Sequence, residues 1–219
     1  MKAHTAELFE PSPAAQPRQE TLCEGAVLLR GFAAHESAIL HALDDVIRAA
    51  PLRHMITPGG LRMSVVMSNC GTFGWISDRH GYRYSPDDPQ SGESWPSMPG
   101  AFARLARDAA AAAGFVDFAP DACLVNRYAP GAKLSLHQDR DEKDFSQPIV
   151  SVSLGLPATF LFGGLRRSDK QLRVPLMHGD VVVWGGPARL RYHGVLPLKE
   201  GAHPLLGGCR INLTFRKAG

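Results

Sequence analysis

His137 and Asp139 stand two residues apart in the strand-like run 134–139. Strand side chains alternate faces, so residues i and i+2 point the same way, and an imidazole and a carboxylate converge on one point. One further histidine would complete a 2-His-1-carboxylate set, which suits non-haem Fe(II) and leaves coordination positions open. Taken alone, the pair is a weak signal and more often marks a surface turn, here one that opens the charged run 139–142. His178 and His193 are both candidates for the third ligand, with His203 a poorer one. His178 precedes Gly179-Asp180, a tight turn in which an imidazole commonly serves turn hydrogen bonding. His193 lies in the strand-like run 191–195 and its ring can point inward. Spacing leans towards His193 and leaves the choice open.

A second set lies at the C-terminal end. Alternation along 210–216 places Arg210, Asn212, Thr214 and Arg216 on one face and Ile211, Leu213 and Phe215 on the other. Two guanidiniums on an inward face are costly unless paired. An edge strand with a solvated polar face is one way out. A small dicarboxylate beside the metal is the other, since arginine recognises carboxylates bidentately. Asn126 and Tyr128 repeat the i, i+2 pattern just before the Ala129-Pro130-Gly131 turn and could bond the same carboxylates.

Side chains held this way need strands, and after Gly114 the sequence offers little else. Strand-like runs at 122–128, 134–139, 149–156, 159–162, 172–176, 180–184, 192–196 and 209–216 alternate with Gly- and Pro-rich turns. Eight short strands so spaced predict a closed barrel or a jelly roll. Upstream, 25–32 reads as a strand. Ile39, Leu40, Leu43, Val46 and Ile47 recur at helical spacing until Pro51. A second helix is expected over about 99–113, with Phe102, Leu105, Ala106, Ala109 and Ala113 as its stripe, Pro99 in the first turn and Gly114 just past the end. The class is α+β by count and mainly β by architecture.

Between the helices the texture changes. Residues 57–95 are rich in Gly, Ser, Pro and Asp and carry Trp75, Tyr82, Tyr84 and Trp95, with Arg53, Arg62, Arg79 and Arg83 nearby. Short strands are expected at 62–67 and 81–84 and loops elsewhere; a long loop-rich stretch inside a domain is commonly functional. The arginines suit a phosphate backbone, although scattered surface charge accounts for them too. Trp95 and Trp184 are assigned to packing.

The whole chain has 219 residues, 44% hydrophobic and 21% charged, which argues against wholesale disorder. No apolar run approaches the roughly 20 residues of a membrane-spanning helix, and residues 1–20 lack a signal-peptide layout. The expectation is a flexible tail over 1–24, one domain over 25–219, a cytoplasmic location and no membrane partner. Four separated cysteines without a C-x-x-C exclude an evident zinc ribbon and favour reduced thiols. A net charge of +3 permits an anionic partner without demanding one.

Several ordered motifs together resemble one known family. They are residues 121–142 (DACLVNRYAPGAKLSLHQDRDE), 148–157 (PIVSVSLGLP), 178–186 (HGDVVVWGG), Tyr192-His-Gly and Arg210-x-Asn-Leu-Thr-Phe-Arg, with Thr57-Pro-Gly-Gly, Ser68-Asn-Cys-Gly and Gly74-Trp75 upstream. Over about residues 25–218 the chain closely resembles bacterial members of the AlkB family, Fe(II)/2-oxoglutarate-dependent oxidative demethylases of alkylated nucleobases. Arg140 stands where relatives carry Lys, and the N-terminal tail does not match.

The resemblance implies a double-stranded β-helix, or jelly roll, over about 115–219, with a nucleotide-recognition lid over about 53–95. It implies iron ligands His137, Asp139 and His193, leaving His178 in a turn. Arg210 would pair with the distal carboxylate of 2-oxoglutarate, and Asn126, Tyr128, Asn212, Thr214 and Arg216 would line the same pocket. Trp75, Tyr82, Tyr84, Asp141 and Arg167 would meet the substrate. The implied reaction consumes O2 and 2-oxoglutarate, demethylates 1-methyladenine and 3-methylcytosine in DNA, and releases formaldehyde, succinate and CO2 in direct-reversal repair. Methylated DNA, single- or double-stranded, is the implied partner, RNA a further one, and a monomer the expected state. The alternative is a hydroxylase of the same chemistry acting on a protein or small molecule.

Overall fold

The alternation along 210–216 becomes a central strand of an eight-stranded sheet in the computed structural model, which describes residues 18–34 and 37–219. Among the described residues, fourteen strands and two α-helices follow in chain order. β1 (Gln19–Cys23) and β2 (Ala26–Leu29) precede α1 (Ser37–Ala49); β3 (Arg53–Ile56), β4 (Arg62–Gly71), β5 (Gly74–Asp78) and β6 (Gly81–Ser85) precede α2 (Gly100–Ala112). After these come β7 (Ala122–Tyr128), β8 (Leu134–His137), β9 (Ile149–Gly155), β10 (Ala158–Phe162), β11 (Leu172–Leu176), β12 (Val181–Trp184), β13 (His193–Val195) and β14 (Arg210–Arg216). The large sheet runs β1-β2-β12-β9-β14-β7-β4-β3, a second runs β11-β10-β13-β8, and β5 pairs with β6 in a two-stranded sheet. All pairings are antiparallel.

One face of the large sheet is covered by the helices. Ile211, Leu213 and Phe215 join Ile39, Leu43 and Val46 of α1 and Phe102, Leu105, Ala106 and Ala109 of α2 in one core. The Phe102 and Phe215 rings meet edge to face with centroids 5.9 Å apart, and each such side chain contributes about 1.5–3 kcal/mol by leaving water. α2 stops as its sequence requires. Gly114 takes a positive φ of 88°, and the N–H groups of Gly114 and Phe115 donate to Ala111 and Ala110 carbonyls, the Schellman closure. The other face meets the four-stranded sheet across Tyr128, Ile149, Phe160, Phe162, Val182 and Trp184. Two facing antiparallel sheets with helices outside form the expected jelly roll.

The structure corrects four local expectations. Residues 19–23, expected within the tail over 1–24, form a strand paired with β2; residues 1–17 lie outside the described residues. The region 53–95 is more ordered than a loop, since β3 and β5 find partners in β4 and β6. These partners are supplied by tertiary context, which short polar runs do not advertise. Strand β8 ends at His137, so Asp139 leaves the ladder. Among the arginines named for phosphate, Arg53 is bound by Asp88 under the Trp95 ring and Arg83 by Asp78, so two of the four already have carboxylate partners.

Trp95 packs as expected, 5% exposed. A Cβ at Gly74 would come within 2.3 Å of its ring, so the β5–β6 hairpin can sit this close only with glycine there. No helix among the described residues is long and apolar enough to cross a membrane.

Candidate active site

His137 and His193 are direct cross-strand partners on β8 and β13. The two strands approach closely at Gly194, where a Cβ would stand 2.7 Å from the Leu134 carbonyl oxygen. The imidazole centroids are 4.3 Å apart. Asp139 Oδ1 lies 3.6 Å from His137 Nε2 and 3.8 Å from His193 Nε2, and the three groups offer ligand atoms within 4.8 Å of one another.

Each ring is set to present Nε2. His137 Nδ1 donates to the Ser135 carbonyl at 2.9 Å, and His193 Nδ1 to the Arg191 carbonyl at 3.0 Å. A carbonyl only accepts, so Nδ1 is the donor in both rings and Nε2 is the atom turned towards Asp139, as in metal-ligating histidines. Burial and the neighbouring His137 pull the His193 pKa down to about 3, so its imidazole is neutral near pH 7. His178 is elsewhere: its Nδ1 accepts from the Gly155 N–H at 3.0 Å and its ring stacks on His203 at 4.5 Å.

Asp139 is held although it lies beyond the strand. Arg216 donates from Nε and Nη2 to its Oδ2 at 2.8 and 2.6 Å, and Arg189 Nη1 donates to its carbonyl at 2.8 Å. Burial alone would raise the carboxyl pKa; Arg216 and the two imidazoles outweigh it and hold the group well below the usual carboxylate range. A buried Glu142 pairs with both Arg189 and Arg216.

A cavity of about 690 Å³ opens onto this cluster. Arg210 faces Tyr128 and Asn212 faces Asn126 across β14 and β7, so the alternation expected from sequence puts Asn126, Tyr128, Arg210, Asn212, Thr214 and Arg216 along one wall. Thr214 Oγ1 donates to Asn212 Oδ1 at 2.9 Å, and Asn212 Nδ2 donates to Ser151 Oγ at 2.8 Å. Arg210 is different. It is 1% exposed; its Nε donates to Ser153 Oγ at 2.9 Å and its guanidinium lies 4.9 Å from the Tyr128 ring centroid. Its Nη1, with Tyr128 Oη and Asn126 Oδ1, is buried without a hydrogen-bond partner. Burial lowers the Arg210 pKa. A buried cation with an unmatched donor is expensive, so the residues fit an anionic ligand at this point. A dicarboxylate could answer Arg210 at one end and approach the His-Asp-His cluster at the other.

The β5–β6 hairpin lends Trp75, Tyr82 and Tyr84 to the cavity lining. Trp75 and Tyr82 stack with centroids 5.6 Å apart and planes 12° from parallel. Asn69 brackets Trp75, donating from Nδ2 to its carbonyl and accepting from its N–H, both at 3.0 Å. Trp75 Nε1 donates to Asp141 Oδ2 at 2.8 Å. Arg167 Nη1 donates to the Leu136 carbonyl at 2.7 Å and stays on the rim. Tyr84 also lines the cavity, but its hydroxyl donates to Glu142 Oε1 at 2.8 Å, which ties it inward.

Sequence reasoning missed Glu142, Arg189, Ser151 and Ser153. The serines carry a signal, since they alternate in an otherwise apolar strand; Glu142 carries none, because a glutamate in a charged run reads as solvated. Trp184, assigned to packing, also lines the cavity, 4.9 Å from the His193 ring.

Residues 25–216 match the family model described as 2OG-Fe(II) oxygenase superfamily. The chain is 60% identical over 206 residues to alpha-ketoglutarate-dependent dioxygenase AlkB of Escherichia coli (strain K12), covering 94% of this chain and 95% of that one. It is 43% identical over 184 residues to an AlkB homolog of Caulobacter vibrioides, covering 84% and 82%. A solved structure titled "The structure of OsALKBH1" superposes with a TM-score of 0.79 at 33% identity, covering 91% of this chain and 100% of that one. The chain therefore belongs to the 2OG-Fe(II) oxygenase superfamily and, within it, to the AlkB family of Fe(II)- and 2-oxoglutarate-dependent dioxygenases.

Proposed function

We propose that this enzyme oxidatively demethylates alkylated bases in DNA, 1-methyladenine and 3-methylcytosine first among them, with RNA as a further substrate. The observation that carries this reading is the stacked Trp75–Tyr82 pair over the mouth of the His-Asp-His cavity, with Asp141 beside it. Support also comes from the 60% identity to AlkB, and from a human relative named nucleic acid dioxygenase ALKBH1, 37% identical over 125 residues.

In this reading His137, Asp139 and His193 hold Fe(II) through two Nε2 atoms and one carboxylate oxygen. Arg210 receives the distal carboxylate of 2-oxoglutarate, with Asn126, Tyr128, Asn212, Thr214 and Arg216 around it. Bound iron, 2-oxoglutarate and O2 supply the oxidation of an N-methyl group, which leaves as formaldehyde while 2-oxoglutarate becomes succinate and CO2. The protein selects the base and shields the site. Methylation at N1 of adenine or N3 of cytosine makes the base cationic and spoils its pairing, which lowers the cost of extruding it. An extruded base meets the Trp75 and Tyr82 faces, where stacking contributes about 1–3 kcal/mol. Asp141 stands where a cationic base gains electrostatically over a neutral one. Arg167, on the rim, contacts the flanking strand.

Incubation with an oligonucleotide carrying 1-methyladenine or 3-methylcytosine tests the reading. Formaldehyde should form in step with succinate. Formaldehyde no higher than in the iron-free control, with 2-oxoglutarate still consumed, would replace it with hydroxylation of another substrate.

A further inference from the structure

A glutamate three residues beyond a candidate metal ligand, inside a charged run, belongs in solvent. Glu142 is instead 6% exposed and engaged from three directions. Its Oε2 pairs with Arg189 Nη2 at 3.0 Å; its Oε1 accepts from the Tyr84 hydroxyl at 2.8 Å and lies 3.3 Å from Arg216 Nε. The three partners come from separate parts of the fold. Tyr84 belongs to β6, half of the hairpin that carries Trp75 and Tyr82. Arg216 belongs to β14 and holds the Asp139 carboxylate. Arg189 precedes β13 and donates to the main-chain carbonyls of Asp139 and Gln147 at 2.8 and 3.0 Å.

A counter-ion for two buried arginines accounts for two of these contacts. It does not account for Tyr84, which brings no charge to be neutralised. Nor does it account for a second tie between the same two segments, Trp75 Nε1 to Asp141 Oδ2 at 2.8 Å. Within four residues, 139–142, the chain thus carries one candidate metal ligand and two anchors for the lid.

We propose that Glu142 is a positioning residue that couples the lid to the metal centre. Its carboxylate fixes Arg216 against Asp139 on one side and Tyr84 of the lid on the other. When Asp139 is fixed by metal, Arg216 and Glu142 settle in one arrangement, and the Tyr84 hydroxyl holds the β5–β6 hairpin down to it. Coupling between two sites is reciprocal, so an ordered lid also tightens metal binding. The inference rests on the assignment of His137, Asp139 and His193 to a metal and not on the identity of the substrate.

The test uses the full chain under anaerobic conditions, with Co(II) as the metal and 2-oxoglutarate present. Hydrogen exchange is read by mass spectrometry on peptides spanning 74–85, and Co(II) affinity is measured on the same samples by calorimetry. In the wild type, Co(II) slows exchange in these peptides several-fold. Tyr84→Phe, which loses only the hydroxyl, still binds Co(II) but gives no lid protection. Glu142→Gln keeps an acceptor for Tyr84 and loses the charge facing Arg216, and its Co(II) affinity falls about 10–100-fold, the range for residues that orient a ligand. Full protection in Tyr84→Phe, or a wild type that binds Co(II) without protecting 74–85, overturns the coupling. An unchanged affinity in Glu142→Gln overturns the positioning role. Absence of Co(II) binding in the wild type defeats the metal assignment itself, and the coupling with it.

Discussion

Arg216 gives two hydrogen bonds to a single oxygen of Asp139, Oδ2, and leaves Oδ1 facing both imidazoles. The guanidinium thus decides which carboxylate oxygen is offered to a metal. Arg216→Ala should lower Co(II) affinity about 10–100-fold, as loss of a ligand-orienting partner does. It should also destabilise the fold by about 3–5 kcal/mol, because it strands a buried carboxylate. Calorimetric titration and urea unfolding measure the two effects, and an undiminished Co(II) affinity would show that Asp139 orients itself.

Arg210 is the test of the co-substrate. Hydrogen bonds to a charged group contribute about 1.5–3 kcal/mol, so Arg210→Ala should weaken 2-oxoglutarate binding roughly 10–150-fold with little effect on metal. Arg210→Lys should recover only part of the loss, because a lysine cannot reproduce the planar fork. Binding of 2-oxoglutarate to the Co(II) protein reads this directly. A normal affinity in Arg210→Ala would remove the residue from that role.

Much of this was legible before the structure, and the reasons differ by residue. The period-two alternation along 210–216 survives folding intact because β14 is central, paired on both sides over its length. The α2 stripe and Gly114 stop were legible because capping is local. The histidine choice was open on spacing; the cross-strand register brings 193 beside 137, and a register is a long-range fact. Glu142 and Arg189 were invisible for the same reason, since their partners lie 42 or more positions away in sequence. Asp139 converges with His137 for another reason than the expected one: two arginines hold it there after the strand has ended.

Metal should stabilise the native state by mass action. A divalent ion at 100 times its dissociation constant adds about 2.7 kcal/mol, which for a chain of this size raises Tm by roughly 5–10 °C. Chelator should reverse the shift. His137→Ala should abolish it while leaving the circular dichroism spectrum of the metal-free protein unchanged, because His137 is a partly exposed end-of-strand residue. A shift of equal size in His137→Ala would place the metal elsewhere.

Asp141 serves two ends that substitution can separate. Its carboxylate accepts from Trp75 Nε1 and, in the proposed reaction, favours a cationic base. Trp75→Phe removes the indole donor but keeps a stacking face and leaves the carboxylate charge in place, so it should slow turnover of cationic and neutral bases alike. Asp141→Ala removes the charge as well. An exposed charge acting over several ångströms in a high-dielectric setting is worth on the order of 1 kcal/mol, so kcat/KM for 1-methyladenine should fall about fivefold further than for 1-methylguanine, which is neutral. Measuring both lesions in one oligonucleotide context isolates the charge effect from stacking. Equal slowing in Asp141→Ala would reduce the residue to an anchor for Trp75, and the preference for cationic bases would then have to come from the aromatic faces.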